Sequence, residues 1–290
     1  MNETASPSAR QFIPQPVIVA GGLAVAAIVG LLAWQALKPG ASGNALGKLE
    51  GDMHALLFTN DGRVLYGQHG GIQVSSDAGK TWSAPSGQGD AMGLGASGDA
   101  LYMAGHDVFQ KSNDGGKTWT SPGFANLPGT DIHGFAVAPS SGWLYANLAG
   151  SGLYRSTDGG KAWQAVNAAT GGAMALAIGS GTPPAMFAAT MQGMIRSTDG
   201  GASWQPLPNA SSLVGMALSV APKSGAVYAS STKGVVRSTD NGETWTELAG
   251  PGEAVALVAP DPSDEQKLMA VSGTGQVYSS TDGGGTWKGR

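Results

Sequence analysis

The sequence predicts an all-β fold, a six-bladed β-propeller preceded by one N-terminal transmembrane helix. Three observations predict it: an eight-residue pattern Ser-x-Asp-x-Gly-x-x-Trp that recurs six times, short apolar runs between the copies, and 21 uncharged residues near the N-terminus. The copies occupy 75–82, 112–119, 156–163, 197–204, 238–245 and 280–287, and their aspartates (Asp77, Asp114, Asp158, Asp199, Asp240, Asp282) are 37 to 44 residues apart. Each box follows a run such as GLYRS or GVVRS, which follows one with a Leu-Tyr or Val-Tyr pair, which follows an inner run such as FAVAP. With the segment after the box, this makes four strands in a unit of about 40 residues, the size of a propeller blade.

The N-terminal elements are read in order. Residues 1–16 form a short polar tail, and 17–37 form the transmembrane helix, with Gln35 its only strongly polar residue and Trp34 suited to the interface. The run exceeds the 7–15 apolar residues usual in a cleaved signal peptide, which favours an uncleaved anchor. Residues 38–47 (KPGASGNALG) form a linker, and 48–290 form the propeller. The membrane is thus an expected partner, and the expected location is membrane-anchored with an extracytoplasmic propeller, periplasmic or at the cell surface. Arg10 on one side and Lys38 and Lys48 on the other leave the orientation open.

Composition removes several functions. Charged residues are 12% of the chain, the net charge is −4, and no cluster of five or more Lys/Arg occurs, so nucleic acid is not an expected partner. Cysteine is absent, which excludes disulfides, thiolate metal sites and a cysteine nucleophile.

The boxes resemble those of the Asp-box (BNR) repeat family, and the resemblance covers residues 48–290. It implies that each box is the turn between the third and fourth strands of a blade. Ser and Asp would hold turn amides, Gly would take positive φ and Trp would pack between blades. The six box aspartates are then turn residues. After the last box only Lys288, Gly289 and Arg290 remain, so blade six is expected to borrow its outer strand from residues 45–50. The chain is also similar to sialidase-like, membrane-attached bacterial propellers with a glycosylhydrolase label, and to photosynthetic assembly factors that hold membrane-protein partners. Sialidases use three arginines from different blades and a tyrosine nucleophile supported by a glutamate. Here Arg155, Arg196 and Arg237 each precede a box, and Tyr66, Tyr102, Tyr145 and Tyr228 share one strand position, so both sets read as repeat residues. The enzyme alternative is a glycoside hydrolase with an acidic pair, Asp90 and Asp131, as its catalytic carboxylates.

Positions shared by every blade make the fold, so chemistry is sought where blades differ. The start of the innermost strand carries His54, Met92, His133, Met174, Met216 and Val255. Eight residues before each box aspartate stand His69, His106, Gly150, Met191, Thr232 and Thr274. These columns hold all four histidines of the chain, and both fall at the end of the disc opposite the boxes. Imidazole and thioether suit a soft or borderline transition metal, copper above all. His54, His69, His106 and His133 are the candidate metal ligands, with Asp52, Met92 and Asp131 as further ligand-binding residues. Asp52, Asp90, Asp107 and Asp131 stand where carboxylates orient imidazoles. A methionine or lone histidine on an inner strand reads as packing; the grouping of all four histidines in blades 1–3 favours a ligand. The function expected is a non-catalytic extracytoplasmic propeller whose histidine-bearing face binds a ligand, a metal, or a membrane or extracytoplasmic partner protein.

Overall fold

The computed structural model describes residues 48–289 apart from 208–209, 211–212, 214–216 and 232–233. The expected tail, transmembrane helix and linker, and Met216, Thr232 and Arg290, lie outside the described residues. Among the described residues no helix is long and apolar enough to cross a membrane.

Six antiparallel sheets follow one another along the chain. Blade 1 is β1 (Met53–Phe58), β2 (Val64–Gln68) and β3 (Gly71–Ser75); blade 2 is β4 (Gly93–Ser97), β5 (Ala100–Gly105) and β6 (Val108–Ser112). Blade 3 is β7 (Ile132–Val137), β8 (Leu144–Leu148), β9 (Gly152–Ser156) and β10 (Gln164–Asn167), and blade 4 is β11 (Ala173–Ile178), β12 (Met186–Thr190), β13 (Gly193–Ser197) and β14 (Gln205–Pro206). Blade 5 is β15 (Leu218–Val220), β16 (Val227–Ser231), β17 (Gly234–Ser238) and β18 (Thr246–Glu247), and blade 6 is β19 (Val255–Pro260), β20 (Leu268–Ser272), β21 (Val277–Ser280) and β22 (Lys288–Gly289).

Two features differ from expectation. Blades 1 and 2 have three strands, and their outer edges are reduced to the single bridges Ile72↔Ser86 and Lys111↔Thr120. The segments that follow, rich in Pro and Gly, lack the N–H groups and side chains that extend a ladder. Among the described residues blade six takes its outer strand from its own end instead: β22 pairs with β21 through Tyr278↔Gly289 and Ser279↔Lys288. Two residues suffice there, as they do in β14 and β18. Leu49 instead donates its N–H to Gly275 O at 2.8 Å and buries its side chain between blades 6 and 1, where the ring closes.

Six apolar clusters form the core, one at each junction between blades, and the box tryptophan of the later blade packs against each. The strands are apolar on both faces because each sheet is covered by two neighbours. Arg63 and Arg196 add polar ties, donating to Gly115 O and Asn241 O in the next blade's box, both at 2.7 Å.

The boxes are closed hydrogen-bonded turns. In the second, Ser112 Oγ donates to Asp114 Oδ1 and accepts from Gly116 N, both at 2.8 Å, while Asp114 Oδ1 accepts from Thr118 N at 2.9 Å. The turn requires a left-handed residue even where glycine is missing: Ala78 and Asn241 take φ of 59° and 57°. Donors aimed at the carboxylates hold all six aspartates below the ordinary range. The Thr or Ser hydroxyl four residues on dominates in five, the Ala162 amide at Asp158, and Asp77, Asp199, Asp240 and Asp282 fall to about 2. Their folded pKa lies below the 3.8 of an unperturbed aspartate, so the stability they contribute is fully present above that value and is lost as pH falls through about 2. Thermal melts should therefore show a Tm that is level above pH ~4.5 and falls steadily towards pH 2; a flat Tm across that interval contradicts the assignment.

Candidate metal centre

Antiparallel order places the starts of the inner strands and the turns between second and third strands at one end of the disc, with the boxes at the other. Met53 pairs with Gln68 and Phe58 with Val64, and Val64 pairs in turn with Ser75. His54 and His133 each occupy the extra residue of a β-bulge, between Met53 and Ala55 on β1 and between Ile132 and Gly134 on β7. A bulge re-aims the side chain it carries. The corresponding bulge in blade 6 falls at Ala256, so Ala256 rather than Val255 is the counterpart of His54. His69 lies in the β2–β3 turn and His106 in the β5–β6 turn.

The aspartate leading each inner strand stands beside the preceding blade's turn. Ala91 N donates to Gln68 O at 3.1 Å, which sets Asp90 against the turn of blade 1; the bridge His106↔Asp131 does the same for Asp131 and blade 2. Asp90 becomes the centre of the arrangement. Its Oδ1 is 3.1 Å from His54 Nε2, and its Oδ2 is 3.3 Å from His69 Nε2 and 2.8 Å from His106 Nδ1. Asp52 Oδ2 is 2.7 Å from His69 Nδ1, while Asp131 Oδ1 is 3.1 Å from His133 Nε2 and 3.4 Å from His106 Nε2.

Asp90 is buried and His54 largely so, with side chains 10% and 11% exposed; the other members face solvent to differing degrees. Both ring nitrogens of His54 and Asp90 Oδ1 are buried without a hydrogen-bond partner, although Nε2 and Oδ1 stand 3.1 Å apart. The two atoms are near each other without being aimed along an N–H line, the relation expected of donors that converge on a third atom. Burial pushes the His54 imidazole below its ordinary pKa, outweighing the Asp90 carboxylate, which acts in the opposite direction. Its neutral form, the form that binds metals, is thereby favoured.

Two three-residue groups have ligand atoms within 4.8 Å of one another: His54, His69 and Asp90, and His106, Asp131 and His133. All four sequence-predicted histidines come together, with Asp52 against one of them. Met92 lines the axial channel together with His54 and His133. Asp107 accepts from Thr130 Oγ1 and faces no imidazole, and Met191 is 57% exposed. Glu253 accepts from Tyr278 Oη and Thr274 Oγ1, a contact the sequence did not suggest because it joins an inner-strand approach to a third strand. The four repeated tyrosines are buried packing residues, as their shared position implied. Sequence reasoning placed Asp90 in a supporting or catalytic role; its central position follows from the contact between blades, for which its place before an inner strand was the only signal.

Fold and geometry together define an all-β six-bladed propeller with a histidine and aspartate cluster at one end of its axis. Comparison with known proteins agrees on the fold. A family model described as the DUF6242 beta propeller domain matches residues 188–290, and no curated protein matches the chain. Among solved structures, YCF48 bound to D1 peptide is 18% identical with a TM-score of 0.55, covering 86% of this chain and 82% of its own. A GH74 enzyme of Niastella koreensis is 19% identical with a TM-score of 0.58, covering 85% of this chain and 46% of its own. XC5397 of Xanthomonas campestris, described as a gluconolactonase, is 12% identical with a TM-score of 0.63, covering 81% and 88%. At these identities the likeness is one of fold, and it extends to both enzymes and a binding protein. The chain spans less than half the length of the GH74 enzyme.

Proposed function

We propose that this protein is a membrane-anchored propeller of the Asp-box class whose histidine-bearing end, on the extracytoplasmic side, binds a divalent transition-metal ion and catalyses no reaction. One observation carries the reading: the four histidines of the chain, drawn from three consecutive blades, gather at two carboxylates, His54, His69 and His106 at Asp90 and His133 with His106 at Asp131, and both His54 nitrogens and Asp90 Oδ1 are buried without hydrogen-bond partners. Buried polar atoms are ordinarily satisfied, so a packing role for these histidines leaves that cost unexplained. Imidazole and carboxylate donors suit Cu(II), Zn(II) and Ni(II), with Cu(II) the strongest binder of the three. The converging imidazole and carboxylate groups supply nitrogen and oxygen donors, and the reading rests on these. Asp52 beside Nδ1 of His69 turns Nε2 towards Asp90, as an orienting carboxylate does.

The glycoside hydrolase reading has the GH74 likeness in its favour. Against it, the His106 ring stands between Asp90 and Asp131 and contacts both, where a hydrolase needs an open gap for sugar and water. Titration of the purified full chain with Cu(II), Zn(II) and Ni(II) by calorimetry tests the proposal. Replacing all four histidines with alanine should weaken binding by on the order of 100-fold or more while leaving the melt cooperative. Undiminished binding in that variant, or none in the wild type, overturns it, and would move attention to a polypeptide partner or to a glycan screen with Asp131→Asn as control.

A further inference from the structure

We propose that the histidine-bearing end takes two divalent transition-metal ions, one held by His54, His69 and Asp90 and the other by His106, His133 and Asp131, coupled through the Asp90 carboxylate. This rests on the metal reading above and specifies its stoichiometry. Four imidazoles and two carboxylates exceed the donors that one four-coordinate ion uses, and they divide into two compact groups. The division follows the fold. His54 and His69 both come from blade 1, facing Asp90 at the entry to blade 2, while His106 from blade 2 meets His133 and Asp131 at the entry to blade 3.

Within each group the two rings stand edge to face, His54 and His69 with centroids 4.6 Å apart at 66°, His106 and His133 with centroids 5.1 Å apart at 71°. Each imidazole has one nitrogen turned to its own group. For His69, Nδ1 meets Asp52 and Nε2 meets Asp90; for His106, Nδ1 meets Asp90 and Nε2 meets Asp131. Asp90 therefore acts twice: as a ligand within the first group, and as the carboxylate that orients His106 within the second. Charge supports two cations. Asp52, Asp90 and Asp131 pair with histidines, and among the described residues no lysine or arginine forms an ion pair with any of them.

The test counts metal per chain after equilibrium dialysis of the full chain against Cu(II), and separately Zn(II), with circular-dichroism melts to show that each variant folds. Wild type should hold two equivalents. H54A/H69A and H106A/H133A should each hold one, and the magnetic coupling between two Cu(II) centres expected in the wild-type electron paramagnetic resonance spectrum should vanish in both. Asp90→Asn, which keeps the side chain's shape, should weaken both sites by roughly 10- to 100-fold, as expected for a ligand and orienting group. One equivalent in wild type, lost in either double variant, overturns the two-ion arrangement while leaving the single-ion reading standing. No bound metal, or two equivalents unaffected by both double variants, overturns both.

Discussion

Replacing Gly105 with alanine should abolish metal loading at the first histidine group and lower the Tm, although no donor is removed. Gly105 ends β5, and a Cβ there would lie 1.8 Å from Asp90 O, 2.9 Å from Asp90 C and 3.1 Å from Met92 N. These are backbone atoms and have no rotamer to move into, so the segment carrying Asp90 must shift. A shift of that kind moves the Asp90 carboxylate away from His54 and both turn histidines together. Overpacking of this type costs about 1–3 kcal/mol, and for a domain of this size a few degrees of Tm accompany each kcal/mol. Gly98→Ala is the matched control: nothing lies within 4 Å of its Cβ and its φ is +55°. It should cost about 1 kcal/mol through backbone conformation alone and leave the Cu(II) titration unchanged. Thermal melts and metal titrations on the two variants read both effects. A Gly105→Ala protein that binds and melts like wild type would show that Asp90 does not depend on this close approach.

The second large effect separates fold from site. Phe187 on β12 is fully buried in the junction between blades 4 and 5, in a cluster with Leu207, Val227, Val236 and Trp245. Phe187→Ala should destabilise by about 3–5 kcal/mol, because the surrounding strands, fixed in their ladders, cannot close around the void. The Tm should fall by on the order of 10 °C. Among the described residues blades 4 and 5 contribute none of the converging imidazoles and carboxylates, so the metal held per chain at a temperature where the variant is folded should stay at the wild-type value. Urea unfolding with metal analysis checks both halves. A stable Phe187→Ala protein would contradict the junction-by-junction core, and one that is folded yet loses metal would contradict the confinement of the site to blades 1–3.

Both predictions fall on features that differ in how far they could be read from the chain. The blade turns were legible because their chemistry is local: Ser, Asp, Gly and the hydroxyl residue of each box bond to one another within a few positions, so the pattern is the structure. The tryptophans and tyrosines were legible as packing residues because the repeat puts each in the same environment six or four times over. The histidine columns were legible too, since a fixed distance from the box fixes height along a blade.

The arrangement at Asp90 was not. It spans the gap between two sheets, and a sequence that specifies each sheet leaves open which residues of neighbouring sheets touch. The bulges that turn His54 and His133 depend on strand pairing, as does the one-residue offset that aligns Ala256 with them. Closure of the ring was decided in the same way, by Gly289 and Lys288 reaching β21 while Leu49 fills the junction beside it. The sequence by itself determined the number of blades, their turns and the residues facing each junction, because short-range hydrogen bonds and repeated burial encode them. Only the tertiary structure decided that Asp90 meets both histidines of blade 1 and the turn histidine of blade 2, because that contact exists only when the edges of separate blades are brought together by packing.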